Sequence, residues 1–227
     1  MINKKQGIFR KAMPFKNREE VGHKLASALA KYRSKKIVFF ALPRGGVPIA
    51  SILADAFKAP LYLVLTRKIG HPLQPEYALA AISEKGYLVC NKQELETIDP
   101  LWFSLEKQKQ IEEIKRRRLS YPEIEIPSFL DDTLAIIVDD GIATGLTMEA
   151  AIMDIHSRNP QKVLVATAVC PLEKAKAFED LGVKVVSLLT PPSKDFLGAV
   201  SAYYEDFPQV EEKEVLSLLK THLKKAS

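Results

Sequence analysis

Two adjacent carboxylates, Asp139 and Asp140, end an unbroken apolar run and are followed by a short loop rich in glycine and threonine, 141–147. Helical spacing begins directly after this loop, so the segment predicts a buried strand, a loop and a helix N-terminus. Such a junction offers free backbone N–H groups and the positive end of a helix dipole, which suit a phosphate. Gly145 has no Cβ to block close approach of the anion, and the threonine hydroxyls add donors. The loop is therefore predicted to bind a phosphate group.

The two aspartates need a different partner, because adjacent carboxylates at the mouth of an apolar strand repel each other and lose hydration. A ribose diol can satisfy them, since ionised carboxylates accept strong hydrogen bonds from hydroxyls. Both side chains can reach one ligand only at the last step of the strand, because successive strand residues point to opposite faces. The segment thus predicts a pocket for a phosphorylated ribose, and its spacing is neither that of a Walker loop nor G-x-G-x-x-G. The alternative is a generic strand–loop–helix turn. A second acid pair, Asp131-Asp132, is interpreted as a turn into the strand.

The pattern in 136–147 closely resembles the 5-phosphoribosyl-1-pyrophosphate (PRPP) signature of type I phosphoribosyltransferases: apolar residues, two acids, three variable positions and Thr-Gly-x-Thr. The resemblance implies that Asp139 and Asp140 hold the ribose diol. It also implies that the 5′-phosphate lies in the loop formed by Ala143, Thr144, Gly145, Leu146 and Thr147. The motifs Leu-Pro-Arg-Gly-Gly-Val-Pro and Arg-Lys-Ile-Gly extend the resemblance to a group of uncharacterised members of this family, from about Phe15 to Leu216.

The resemblance implies transfer of the 5-phosphoribosyl group from PRPP to a nitrogenous base or related small amine, with release of pyrophosphate. It also implies a Mg²⁺ ion that is bound through PRPP, with no direct protein ligand assigned. Oxopurine-specific members carry an acid just before the Thr-Gly, but that position is Ala143 here, as in adenine-type enzymes. A loop glutamate is implicated in those enzymes, and Glu76 and Glu84 are candidates by location; for each, a plain surface glutamate is the alternative. Phe196 follows the last core strand, where relatives place an aromatic that stacks on the base; packing in the core is the alternative.

A second candidate loop, made of Arg44, Gly45 and Gly46, follows the first predicted core strand. The glycines let the backbone approach an anion, and an arginine can bind it with two hydrogen bonds. In the family this loop binds pyrophosphate, often through a cis peptide bond, and the Leu42–Pro43 bond is where a cis form costs least. A plain turn with a solvated arginine is the alternative.

A third candidate loop is predicted at 67–77, where proline and glycine interrupt the chain after the second core strand. Its first residues, Arg67 and Lys68, resemble the start of the family's mobile catalytic loop, which implies a catalytic role for both in a closing lid. A basic lid suits this chemistry, because the departing pyrophosphate develops charge and closure excludes water. The alternative is a solvated loop with incidental charges.

Alternating strand and helix patterns predict the elements that must position these loops. Helices are predicted at 17–32, 47–57, 101–119, 172–181 and 210–223, and strands at 37–42, 61–66, 134–139, 162–169 and 184–189, with a hairpin-like pair at 77–83 and 87–90. This order predicts an α/β fold with a mostly parallel sheet flanked by helices, so the three loops share one crevice beyond the carboxyl ends of the strands. We expect a single domain, 1–227, with a core at about 35–70 and 130–190. A small hood or lid with the inserted helix would occupy about 71–129 and 191–227.

The composition is that of an ordinary globular protein, with 47% hydrophobic and 27% charged residues. Cys90 and Cys170 are expected to be buried, reduced thiols. No apolar leader or membrane-length apolar run is present, which predicts a cytoplasmic protein with no membrane partner. The net charge of +5 and the run Arg116–Arg118 allow an alternative, a PRPP-binding regulator that acts on a nucleic-acid or protein partner. No nucleic-acid-binding signature accompanies them, so nucleic acid is an unlikely partner; a homodimer is the expected assembly, as is common in the family.

Overall fold

The computed structural model describes residues 14–121 and 126–226, with side chains described up to 222. It contains a parallel sheet, a smaller antiparallel sheet and helices on both faces of the first. The strands are β1 (Ile37–Ala41), β2 (Leu61–Leu63), β3 (Thr66–His71), β4 (Gln74–Ser83), β5 (Leu88–Cys90), β6 (Leu134–Asp139), β7 (Lys162–Val169) and β8 (Lys184–Leu189). The helices are α1 (Arg18–Ala28), α2 (Gly46–Phe57), α3 (Lys92–Leu95), α4 (Pro100–Ser120), α5 (Leu146–His156), α6 (Leu172–Asp180) and α7 (Glu212–Ala226).

The larger sheet has the strand order β2-β1-β6-β7-β8, and every pair in it is parallel. The side chains of β6 alternate between its two faces. Ile136 and Val138 pack with α1 and α2, whereas Ala135 and Ile137 pack with α5 and α6. Both faces are therefore buried, which explains the continuous apolar run in the sequence. The predicted parallel sheet with helices on both sides is confirmed.

The smaller sheet corrects the loop predicted at 67–77. β3 and β4 form an antiparallel hairpin, and β5 pairs with β4, so the strand order is β3-β4-β5. The hairpin is tight near Gly70, where a Cβ would lie 2.2 Å from the carbonyl oxygen of Pro75. These strands were not predicted, because 66–77 contains charged side chains and two prolines. The start of β4 is exposed, and proline is tolerated at such a position. The predicted hairpin-like pairing of 77–83 with 87–90 is confirmed.

The inserted helix, predicted at 101–119, is α4, and it packs against β3 and β4. It begins at an Asp99 cap, whose carboxylate accepts a hydrogen bond from the N–H of Leu101. Near its other end, Arg118 donates to the Leu63 carbonyl at 3.1 Å and pairs with Glu84. This ion pair joins α4 to the turn before β5, so Glu84 has a structural partner. Part of the connector predicted after α4, residues 122–125, lies outside the described residues.

Three further predictions concern single features. Asp131 and Asp132 form a turn before β6, as expected. Cys170 is buried and free, and burial raises the pKa of its thiol to about 12, so it is protonated at neutral pH. Cys90 is free but only half-buried, because it ends a strand at the edge of the smaller sheet, so its predicted burial is wrong. Within the described residues, no helix combines the length and apolar character needed to cross a membrane.

Candidate functional site

Two of the three candidate loops meet at the carboxyl edge of the larger sheet. β1 and β6 are parallel neighbours, so the turns that follow them leave the sheet side by side. A Cβ placed on Gly45 would lie 2.0 Å from Oδ2 of Asp140, and one on Gly46 would lie 2.3 Å from the carbonyl oxygen of Val138. Both glycines are therefore required by packing between the loops. The cis peptide bond expected here joins Pro43 to Arg44, one position after the expected bond.

The acid pair lies where β6 ends. Asp139 is its last residue, and its carboxylate accepts a hydrogen bond of 2.9 Å from the N–H of Asp140. Burial, and then the negative charge of Asp140, raise the pKa of Asp139 well above its usual range. Burial also raises the pKa of Asp140, although the positive charge of Arg18 opposes this effect. Two partly buried acids at a strand end can accept hydrogen bonds from a diol, which would offset their loss of hydration.

Arg18 is a site residue that sequence reasoning missed. Its Nε and Nη2 lie 2.9 and 2.8 Å from Oδ2 of Asp140, and its Nη1 donates to the carbonyl of Pro208 at 2.8 Å. The guanidinium carbon lies 3.7 Å from the centroid of the Phe207 ring. Tyr204 completes this group, because its hydroxyl donates to the Asp140 carbonyl at 2.6 Å. Arg18 precedes Asp140 by 122 positions, and no local pattern joins the two residues.

The predicted phosphate loop leads directly into α5. Gly145 has a φ of 86°, a left-handed conformation that favours glycine, and it caps the helix. No described side chain caps this helix N-terminus, so its first N–H groups are available to an anion. The side chain of Lys174 approaches Gly145 from α6, with its Cδ 3.5 Å from the position of an added Cβ. The predicted loop residues Ala143 and Thr144 are exposed beside it.

Arg67 and Lys68 lie in a strand, where successive side chains point to opposite faces. Arg67 is turned to α4, and its Nε donates to Gln110 at 2.9 Å. Burial, and then the positive charge of Arg117, lower the pKa of Arg67. The Lys68 ammonium instead lies 3.2 Å from the carboxylate of Glu76. The two cations therefore do not share one face of the hairpin.

The segment after β8 covers the edge of the sheet next to the acids. Val200 packs on Gly141, where a Cβ would lie 2.3 Å from its Cγ1. The ring of Phe196 is partly buried against the core, and its centroid lies 5.4 Å from that of Tyr203. The contact described for Phe196 is therefore with another aromatic ring, which agrees with the alternative of packing in the core.

Comparison with known proteins agrees with this arrangement. The family model described as the phosphoribosyl transferase domain matches residues 15–206. The chain belongs to the phosphoribosyltransferase family. The type I fold follows from the same match and from the parallel sheet.

Two kinds of relative are similar to this member of the family. Proteins from two strains of Mycobacterium tuberculosis, whose names assign them provisionally to the phosphoribosyl transferases, are 36% identical over 209 residues and 90% of this chain. The chain spans 46% of the length of those relatives. The crystal structure of the Thermus thermophilus protein TT1426 matches with 35% identity and a TM-score of 0.72, over 91% of this chain and 98% of that one.

Proposed function

We propose that this phosphoribosyltransferase transfers the 5-phosphoribosyl group of PRPP to a nitrogenous base or related small amine and releases pyrophosphate. One observation carries the proposal: the Gly45-Gly46 loop packs directly against Asp140, beside the start of α5. A ligand that fits this arrangement would carry a diol between two phosphate-containing groups, one at the start of α5 and the other at the Gly45-Gly46 loop. The alternative, a regulator acting on a nucleic-acid or protein partner, has no specific observation in its favour. Cytoplasmic location and a homodimer stay predictions.

Each part of PRPP has a proposed partner. Asp139 and Asp140 accept hydrogen bonds from the ribose hydroxyls, and the 143–147 loop at the start of α5 binds the 5′-phosphate through backbone N–H groups. Arg44, Gly45 and Gly46 bind the pyrophosphate. Phe196 is the candidate residue for stacking on the acceptor.

Mg²⁺ fits this site as an ion held by the substrate. In the described residues, no group of three or more His, Cys, Asp and Glu side chains is arranged to hold a metal. Mg²⁺ commonly keeps few protein ligands and binds through substrate phosphates. Bound in this way, the ion would neutralise charge on the departing pyrophosphate.

The chemistry is a displacement at C1 of the ribose. The bond from C1 to the pyrophosphate oxygen breaks, a nitrogen of the acceptor forms the new bond, and the nitrogen loses its proton. Because the transition state has oxocarbenium character, the protein's part is to position the ribose and to stabilise the leaving charge. The Asp139–Asp140 pair fixes the ring, and the cationic side chains of Arg44 and Lys68 favour departure of the pyrophosphate. Arg67, the other lid residue predicted from the sequence, is turned to α4 and is left out of this step.

Titration of PRPP with Mg²⁺ into the protein, followed by calorimetry, tests the proposal. The wild type should bind saturably, and Asp139→Asn/Asp140→Asn should not. The matched control is Asp131→Asn/Asp132→Asn, which removes the same two charges from the turn before β6 and should bind as the wild type does. A folded wild type that neither binds PRPP nor releases pyrophosphate with any of a panel of purine, pyrimidine and amine acceptors would contradict the proposal.

Lys68→Met should lower the rate of pyrophosphate release by about a hundredfold, the scale found when one donor to a developing anion is removed. The melting temperature should hardly change, because the Lys68–Glu76 pair is exposed and such pairs contribute roughly 0–1 kcal/mol. Steady-state kinetics and thermal unfolding measure the two effects. Lys85→Met, at an exposed lysine in the turn before β5, is the control and should keep the full rate. An unchanged rate in Lys68→Met would remove this residue from the catalytic group.

A further inference from the structure

Arg18 lies in a buried position that its charge does not explain by itself. Arg18 is only 9% exposed, and an arginine is rarely so buried unless it has a partner. The stack on Phe207 and the hydrogen bond to Pro208 fix the plane of the guanidinium. Its remaining nitrogens, Nε and Nη2, both bind Oδ2 of Asp140. The ion pair therefore uses one oxygen of the carboxylate and leaves Oδ1 outside it.

The surroundings of Asp140 show why this pair matters. Three groups from different elements face it: Arg18 from α1, Asp139 from β6 and Tyr204 from the segment after β8. Asp139 is a second acid, and the Tyr204 hydroxyl is bonded to the backbone carbonyl instead of the carboxylate. Within the described part of the chain, Arg18 is the cation in an ion pair with Asp140. Without it, two partly buried acids would lie side by side, and Asp140 would have no ion pair within the described residues.

We propose that Arg18 is a positioning residue for the ribose site: its positive charge pairs with Oδ2 of Asp140, which orients that carboxylate and leaves Oδ1 for a ribose hydroxyl. This inference rests on the proposed function. Because Phe207 and Pro208 hold the guanidinium in place, the carboxylate is oriented before the ligand arrives, and little ordering is left for the binding step. Arg18 itself touches neither PRPP nor the acceptor in this scheme.

The test uses Arg18→Met, Arg18→Lys and a matched control, Arg33→Met. Arg33 also lies over an aromatic ring, that of Phe57, and donates to a backbone carbonyl, that of Ala56, but it is exposed. The titration of Asp140 is followed in unliganded protein by carboxyl ¹³C NMR, with assignment from Asp140→Asn. PRPP affinity in the presence of Mg²⁺ is then measured across pH.

Arg18→Met should move the titration of Asp140 to higher pH and weaken PRPP binding at least tenfold at neutral pH. The lost affinity should partly return as the pH rises, because the carboxylate becomes charged without its partner. For Arg18→Lys, both the Asp140 titration and the PRPP affinity should lie between those of Arg18→Met and the wild type. This variant is compared with the wild type if Arg18→Met does not fold. Arg33→Met should change neither measurement.

Two results would overturn the inference in distinguishable ways. If the wild type binds PRPP but the Arg18 variants lose affinity equally at every pH, with Asp140 titrating as before, Arg18 only supports the fold. If the wild type fails to bind PRPP, the proposed function and the ribose role of Arg18 fall together, even where the NMR titration shifts.

Discussion

Asp139→Asn should abolish PRPP binding and at the same time make the unliganded protein more resistant to heat. In the wild type, Asp139 is partly buried, and its carboxylate is hydrogen-bonded to its neighbour Asp140, which is itself an acid. An amide at this position keeps the shape and the acceptor oxygen but has no charge to desolvate. Removing a partly buried charge that lies beside a second acid should stabilise the fold by roughly 1–3 kcal/mol. For a chain of this size each kcal/mol corresponds to about 2–4 °C in melting temperature.

The pH dependence of this effect has a definite sign. Because burial raises the pKa of Asp139 above its value in the unfolded chain, the folded protein binds a proton more tightly than the unfolded one. The stability that this proton contributes is present at low pH, below the unfolded pKa, and is lost as the pH rises through the folded pKa. The advantage of Asp139→Asn over the wild type should therefore be absent in acid and grow towards neutral pH.

Thermal unfolding at several pH values, with and without PRPP and Mg²⁺, measures both effects. The ligand should raise the melting temperature of the wild type but not of Asp139→Asn, so the order of stabilities can reverse. Asp154→Asn is the control, because Asp154 is buried but pairs with Arg158 at 3.4 Å and accepts a hydrogen bond from the N–H of Lys85. That variant should be less stable than the wild type. A destabilised Asp139→Asn at neutral pH would contradict the assignment of an unsatisfied charge.

The elements of the core could be predicted from the sequence because they depend on local periodicity. The strands predicted at 162–169 and 184–189 agree with β7 and β8, and the strand–loop–helix order around Asp139 agrees with the fold. The meeting of the Gly45-Gly46 loop with Asp140 could also be predicted, because the carboxyl ends of parallel strands share one edge.

Other features depend on contacts that no local pattern records. The strand β3 was missed because Thr66–His71 carries mostly polar side chains. One of its faces is covered by α4, and no apolar pattern in the sequence indicates this contact. The Arg18–Asp140 pair was missed because its partners are distant in sequence and meet only through packing of α1. The partial exposure of Cys90 follows from the edge position of β5, which depends on the order of strands in the sheet.

Gly45→Ala should weaken PRPP binding by at least a hundredfold, although it adds a single methyl group. The backbone is not the obstacle, because Gly45 has a φ of −62°, which any residue adopts. The obstacle is the carboxylate of Asp140, whose Oδ2 would lie 2.0 Å from the new Cβ. That oxygen is already held by Arg18, so either the pyrophosphate loop or the ion pair must move. Both movements disrupt the site, and overpacking of this kind costs roughly 1–3 kcal/mol of stability.

The control is Gly182→Ala, at a turn before β8 where nothing lies within 4 Å of an added Cβ. The left-handed φ of 78° there should cost about 1 kcal/mol of stability and leave PRPP affinity unchanged. Calorimetric titration and denaturant unfolding measure the two quantities.

A double-mutant cycle then identifies the cause of the Gly45→Ala effect. If the added methyl group collides with the Asp140 carboxylate, Gly45→Ala should cost less stability in an Asp140→Ala background than in the wild type. The expected coupling is of the order of 0.5–3 kcal/mol, as for residues in direct contact. Additive effects would mean that the loop and the acid do not touch, and the argument that one ligand bridges them would then lose its geometric basis.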